Sequence, residues 1–83
     1  METVVIEHTP FTVPRRKSFV ATGLGFREAR NRPRYAVTFD GDTVIDQEAR
    51  GFPPGIVAPG GTTISLTAEA GAFLMGYLVD AAA

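Results

Sequence analysis

Few residues of this chain have the chemistry that catalysis or metal binding requires. The 83 residues include one histidine, His8, and no cysteine. A histidine base acts on a nucleophile held beside it, whereas His8 stands between Glu7 and Thr9 and is predicted to be an exposed or strand-edge residue. The absence of Cys excludes disulfides and thiolate metal sites, and a single His excludes a histidine-built metal site within one chain.

Acidic residues cluster in the middle of the chain, where oxygen ligands could attract Ca²⁺. The cluster consists of Asp40, Asp42, Asp46 and Glu48. Its spacing does not match the alternating acidic positions and closing Glu of an EF-hand loop, so these residues are predicted to be solvated turn residues. Nucleophile-elbow, P-loop and H-E-x-x-H motifs do not occur. The sequence therefore predicts a protein without enzymatic activity, cofactor or metal.

The strongest candidate for binding is a basic block. Residues 15–34 carry seven cations against Glu28, a net charge of +6, in a chain whose total is −1. Arginine forks grip carboxylates in a bidentate way, which favours docking on an acidic protein surface. Two alternatives stay open: phosphate contacts on nucleic acid, which the absence of interleaved aromatic residues argues against, and a solvated loop with Arg–Asp pairs. The cations are Arg15, Arg16, Lys17, Arg27, Arg30, Arg32 and Arg34.

The second candidate is the C-terminal segment, which is apolar on both faces. At strand periodicity, Phe73, Met75, Tyr77 and Val79 point to one side and Leu74 and Leu78 to the other. A strand with two apolar faces is either central in its own chain or lies at a subunit interface. Because a chain of this length has little left to cover both faces, we expect the first set to mediate self-association.

The elements that must position these residues are strands. Alternation of apolar and polar residues at period two occurs in residues 35–39 and 64–69 and in the short piece 11–13, residues 18–26 also divide into two sides, and residues 72–79 are a strand with two apolar faces. In residues 64–69 the Ile, Leu and Ala should face a core. In residues 18–26, Val20, Leu24 and Phe26 are expected on one side and Phe19 and Ala21 on the other. The pattern predicts an all-β fold: a small antiparallel sandwich or open barrel of five to seven short strands with an extended N-terminal segment.

Glycine and proline mark the turns between these strands. Asp40-Gly41-Asp42 suits a tight turn, Pro59-Gly60-Gly61 separates two strands, and Ala70-Gly71 is expected to link the last two strands as a hairpin. Gly23-Leu24-Gly25-Phe26 resembles the carboxylate-binding loop of PDZ domains, but neither the following strand nor the long helix of that family is present, so a bend or bulge is predicted here. The window Arg27–Arg32 allows one or two helical turns before Pro33.

The length allows one small domain with little stability of its own. We expect residues 1–14 to form an arm or edge strand, residues 15–80 the domain, and residues 81–83 a tail. The acidic N-terminus lacks the apolar stretch of a signal peptide, and the longest near-apolar run, 70–79, is about half of a membrane span. These features predict a soluble protein, made in the cytoplasm without export, that is stabilised by a partner.

Two segments resemble small β-sandwich virion proteins of tailed bacteriophages. Residues 59–80 are similar to their closing hairpin, and Val13-Pro14-Arg15-Arg16-Lys17 is similar to the "VP-x-x-K" start of an early strand. Among these proteins the capsid decoration, or cement, proteins match the size best. The resemblance implies a homotrimer bound without covalent chemistry to the major capsid protein on the outer capsid surface of the virion, where it stabilises the shell.

Two other functions are compatible with the same sequence. One is a head or tail fibre or receptor-binding module, whose loops would carry exposed aromatic residues, with Phe52 as the obvious candidate. The other is a small nucleic-acid-binding accessory protein, whose affinity would fall steeply with salt.

Overall fold

The described part of the chain forms eight strands in two sheets. The computed structural model describes residues 2–26, 33–48, 52–53, 55–68 and 71–80, and no helix occurs within those ranges. Sheet A has the order β1-β8-β3-β6 and sheet B the order β2-β7-β4-β5, with every pair antiparallel. The strands are β1 (Glu2–Ile6), β2 (Phe11–Thr12), β3 (Lys17–Phe26), β4 (Arg34–Phe39), β5 (Asp42–Glu48), β6 (Ile56–Ala58), β7 (Thr63–Ala68) and β8 (Ala72–Asp80). The predicted all-β sandwich is confirmed, with eight strands in place of five to seven.

The core lies between the two sheets and is built from the inward positions of each strand. In sheet B, Tyr35, Val37 and Ile64 are buried, and Leu66 and Ala68 pack against them, as the alternation predicted. In sheet A, Phe19, Leu74 and Leu78 are buried on the facing side. Within the described residues no helix is long and apolar enough to cross a membrane.

A bulge in β3 makes one sequence prediction wrong. The pairing of β3 with β8 shifts between Ala21 and Gly23, so Thr22 is an extra residue without a partner in β8. After Thr22, the even-numbered residues of β3 point to the side of the sheet on which the odd-numbered residues lie before it. Phe19 and Ala21 before the bulge therefore share the core side with Leu24 and Phe26 after it, while Val20 points outward. Strict alternation had placed Val20 with Leu24 and Phe26. Of the bend or bulge expected near Gly23, the bulge is confirmed.

The expected hairpin between the last two strands is also wrong. β7 lies between β2 and β4 in sheet B, whereas β8 lies between β1 and β3 in sheet A. The link through Gly71 therefore crosses from one sheet to the other. Alternation reports which residues share a face, but it carries no information about the sheet that a strand joins.

The tight turn predicted at Asp40-Gly41-Asp42 is confirmed. Asp40 and Gly41 have φ values of 52° and 87°, which fits the two-residue hairpin between β4 and β5. The Asp40 backbone N–H donates to the Thr63 carbonyl, and the Asp40 carboxylate accepts a bond from the Thr63 N–H, both at 2.9 Å. This turn is thereby tied to the start of β7. The window Arg27–Arg32 and the tail 81–83 lie outside the described residues.

The first fourteen residues supply an edge strand to each sheet. β1 pairs with β8 at the edge of sheet A, and β2 pairs with β7 at the edge of sheet B. The segment thus spans both layers of the sandwich, and Ile6 and Val13 are buried in the core.

The centre of sheet A depends on a glycine. Gly76 faces the core opposite Ala21, and a Cβ placed there would lie 2.6 and 2.8 Å from ring atoms of Phe19 and would overlap the Val20 carbonyl oxygen. The Phe19 ring, which is completely buried, occupies the space that a side chain would need. Only glycine allows this approach of ring and backbone.

We expect Gly76→Ala to lower the free energy of unfolding by about 3 kcal/mol, because overpacking displaces backbone as well as side chain. Urea denaturation measures the change. Gly23→Ala is the matched control, since its Cβ would meet only the flexible end of Met75 at 3.2 Å. Equal losses in the two variants would contradict this explanation.

Candidate interaction surfaces

Three of the predicted docking residues share one turn at the end of the sandwich. We call Arg15, Arg16 and Lys17 the basic turn. The Lys17 N–H donates to the Pro14 carbonyl at 3.2 Å, and Arg16 has a φ of 69°. This geometry is that of a β-turn whose third position has positive φ.

The basic turn is fixed by the loop before β7. Val13 N–H donates to the Thr62 carbonyl and Gly61 N–H donates to the Val13 carbonyl, each at 2.9 Å. Gly60 lies so close that a Cβ on it would be 2.8 Å from the Lys17 carbonyl oxygen. The backbone that presents the guanidinium groups is therefore held on both sides.

Arg16 occupies a conformation that suits glycine. A left-handed conformation costs a side-chain-bearing residue about 1–2 kcal/mol. The only other non-glycine residue with positive φ in the described ranges is Asp40, a type that tolerates it in turns. Arg15 and Arg16 are exposed, and neither has an ion-pair partner within the described residues. A strained, exposed and unpaired arginine is a candidate for binding.

Lys17, in contrast, is engaged by its own chain. Its Nζ lies 3.0 Å from Oδ1 of Asp80, at the facing ends of β3 and β8. The hydrogen bond and then the charge of Asp80 raise the pKa of Lys17, and the same two effects of Lys17 lower the pKa of the Asp80 carboxyl.

Arg34 lies at the opposite end of the sandwich and is also paired. It begins β4, whereas the far end of β4 is tied through Asp40 to the loop that holds the basic turn. Its Nε donates to Oδ1 of Asp46 at 2.9 Å, which is the Arg–Asp pairing considered as an alternative for this block. Arg27, Arg30 and Arg32 lie outside the described residues. The described cations thus do not form one continuous patch.

The outer face of sheet A carries the largest side chains of β8. Leu74, Gly76 and Leu78 point inward and are buried, whereas Phe73, Met75, Tyr77 and Val79 are half-buried and point away from sheet B. The inward side holds a glycine at its centre, so the bulkier apolar set faces away from the core. We refer to this surface as the outer face.

Neighbouring strands extend the outer face across the whole sheet. Tyr77 pairs laterally with Thr3 on one side and Val20 on the other, and Val20 pairs with Val57. Val5, beside Met75, is 52% exposed, and Val57 is 49% exposed. The sequence prediction missed all three valines, because strand order, which brings them beside β8, cannot be read from alternation alone.

Glycines in β3 make room for this apolar set. The Phe73 ring lies directly over Gly25, and the end of Met75 lies over Gly23. The two side chains therefore lie along the sheet, where they broaden the apolar surface.

The residues considered for catalysis or metal binding do not assemble. His8 is exposed between β1 and β2. Asp40 bonds the backbone of Thr63, and Asp46 bonds Arg34. Within the described ranges no three His, Asp or Glu side chains are grouped as a metal site would require.

A cavity of about 390 Å³ opens near the β3 bulge. Leu24, Phe26, Tyr35, Phe52 and Met75 form most of its wall, and the described residues contribute no carboxylate or imidazole to it. Its one polar side-chain group beside Thr22 is the Tyr35 hydroxyl, which accepts a bond from Gln47 Nε2 at 2.9 Å. The described lining is therefore mainly apolar and offers no acid–base pair for catalysis.

Comparison of the chain with models of protein families, with curated proteins and with solved structures gave no match. The functional argument therefore depends on the two surfaces described above, the outer face and the basic turn.

The Lys17–Asp80 pair predicts a defined pH dependence. Because the folded pKa of Asp80 is lowered, its stabilising effect is present above the ordinary value of 3.8 and is lost as the pH falls through the folded pKa. Because the folded pKa of Lys17 is raised, its effect is present below 10.5 and is lost as the pH rises through the folded pKa. An NMR titration of the Asp80 carboxyl should give a midpoint below 3.8, and Lys17→Ala should raise that midpoint toward the ordinary value. A midpoint that Lys17→Ala leaves unchanged would contradict the pairing.

Proposed function

We propose that this protein is a non-enzymatic structural protein that self-associates through the outer face and docks on a larger assembly through its arginines. By its resemblance to phage decoration proteins, the assembly is a capsid, the partner is the major capsid protein and the oligomer is a homotrimer on the outer surface of the virion. The observation that carries the proposal is the outward direction of Phe73, Met75, Tyr77 and Val79 on a central strand.

The outer face supports self-association because nothing in the described residues covers it. A sandwich of two sheets covers only the inner side of each, and the outer face of sheet A carries valines at both edges with aromatic and Met side chains between them. Contiguous exposed apolar surface of this kind marks interaction sites, and Tyr, Phe and Met are enriched in interface cores. Self-association would also stabilise a small domain, because the core of a chain of this length buries little apolar surface.

The basic turn supports docking because it offers, on a fixed backbone, two guanidinium groups that form no ion pair with the described residues. It lies at the start of β3, where Lys17 is paired with Asp80 at the end of β8, and it does not lie within the outer face. Both contacts can therefore form at once. A trimer carries three such turns, and the high effective concentration of the second and third contacts multiplies weak binding by each one.

The alternative functions have less support from the described residues. Phe52, the aromatic residue considered for carbohydrate recognition by a fibre module, is half-buried and packs against the core. For a nucleic-acid-binding accessory protein, the described unpaired cations amount to Arg15 and Arg16, without an aromatic platform beside them. A salt titration with DNA tests this second alternative directly.

We expect Tyr77→Lys to dissociate the oligomer, because a charge at the centre of the outer face would be buried without a partner. The loss should be about 2 kcal/mol per contact, as for a central aromatic interface residue. Light scattering coupled to size-exclusion chromatography measures the mass across a dilution series.

Thr67→Lys is the matched control, since Thr67 is exposed on the other sheet and should leave the oligomer intact. Urea denaturation confirms that both variants fold. A wild-type chain that is monomeric at every concentration would contradict self-association, and a trimer that survives Tyr77→Lys would contradict the outer face as its contact.

We expect Arg16→Gly to weaken docking and to stabilise the fold at the same time. The change removes a guanidinium from the basic turn and relieves a left-handed conformation, which should raise the free energy of unfolding by about 1 kcal/mol. Cosedimentation with empty capsid shells of the phage that encodes the protein measures occupancy, and urea denaturation measures stability.

Arg15→Ser is the matched control, because it removes one charge without relieving strain. It should lower occupancy and leave stability nearly unchanged. Replacement of Arg27, Arg30, Arg32 and Arg34 by Ser tests the rest of the predicted docking set. Full occupancy in all three variants would refute docking by arginine.

A further inference from the structure

Three of the four sheet edges are protected against pairing with another chain. β2 has two residues between Pro10 and Pro14, and β6 has three residues followed by Pro59. β5 carries Asp42, Asp46 and Glu48 and has an irregular register near Val44. Short strands, prolines, charges and bulges are the devices by which proteins prevent edge-to-edge contact.

β1, the remaining edge, has almost none of these devices. Its five residues pair with β8 in an unbroken register and include no proline, glycine or cation. Its single charge, Glu2, stands at its first residue, and Val5 on its outer side is 52% exposed. None of the described residues pairs with this outer edge of β1, so about 17 Å of backbone is open to a further strand.

We propose that β1 pairs antiparallel with β1 of a second copy, about a two-fold axis through Val4. The contact goes beyond the proposed capsid function and does not depend on it. It would join two copies of sheet A into one sheet of eight strands.

The register follows from the faces of the strand. Thr3 and Val5 point to the outer side of sheet A, whereas Glu2, Val4 and Ile6 point to the inner side. Directly opposed residues must share a side, so the two-fold axis can pass only through a residue. Val4 is the one position that pairs all five residues, with Thr3 opposite Val5 and Glu2 opposite Ile6 of the second copy.

The charges of β1 also select a second β1 over the other edges. In the Val4 register each Glu2 faces the aliphatic side chain of Ile6, so no carboxylates are opposed. Pairing with β5 would instead bring Glu2 to a strand that carries three carboxylates, and like charges in directly opposed positions are destabilising. β2 and β6 are too short to use the edge that β1 offers.

A two-fold contact of this kind closes on itself. Each β1 edge is used once, so pairing ends at two copies and does not propagate into a fibre. The outer faces of the two copies become continuous, with each Thr3–Val5 pair at the seam. The edge contact uses backbone hydrogen bonds and leaves the Tyr77 region free, so it can join copies that also associate through the outer face.

Cysteine crosslinking tests the contact, because the natural chain contains no cysteine. The full chain is prepared as Thr3→Cys and as Val5→Cys, and the two variants are mixed in equal amounts under mild oxidation. In the Val4 register, position 3 faces position 5 within disulfide reach, whereas equal positions are about 8 Å apart. The mixed disulfide should exceed the sum of the two same-variant disulfides by about fivefold. Random collision makes the two amounts equal, and that result would overturn the proposal.

Two further variants keep the test specific. Val44→Cys, which places a thiol at a valine 41% exposed on β5, is the control and should crosslink no faster than random collision. Thr3→Lys should weaken dimerisation about tenfold, since the two symmetric sites lose up to about 1 kcal/mol each. On a Tyr77→Lys background the mixed disulfide should persist, which separates the edge contact from the outer face. Its loss on that background, or an undiminished dimer in Thr3→Lys, would refute pairing through β1.

Discussion

The close packing of the Phe19 ring on the Gly76 backbone is the contact on which the rest of the sandwich depends. It puts the one completely buried aromatic ring of the described residues at the centre of sheet A. Because the inward side of β8 must be small there, the bulk of that strand is directed outward as Phe73, Met75, Tyr77 and Val79. The apolar outer face is thus linked to the way in which the core is filled.

The sequence was sufficient for the fold class and for most of the inward residues. Period-two alternation identified the core positions of β4 and β7, and Asp40-Gly41 identified the hairpin between β4 and β5. The sequence was not sufficient where the same residue pattern is compatible with more than one structure. The Thr22 bulge reverses the phase of β3 without any change in composition, and the partner of β8 is decided by packing between sheets, not by the residues that link it to β7.

The candidate surfaces were predictable to different degrees. The four outward side chains of β8 could be assigned from their spacing, but the valines beside them come from β1, β3 and β6 and require the strand order. The basic block was identified by composition, which does not distinguish a paired cation from an unpaired one. Lys17 and Arg34 are paired with Asp80 and Asp46, so Arg15 and Arg16 are the described cations available to a partner. The strain at Arg16 depends on backbone geometry, which composition does not encode.

The pairing of β1 with β8 joins almost the first described residues of the chain to the last. During synthesis the hydrogen-bonding partner of β1 leaves the ribosome only after more than sixty intervening residues. Sheets built from segments so far apart in sequence fold slowly. Until they are complete, their unpaired strands can aggregate with other chains. During synthesis there is therefore a stage in which β1 has been made but β8, its pairing partner, has not. The yield of folded protein in the cell should depend on how quickly translation is completed, or on a chaperone that shields Val4 and Val5.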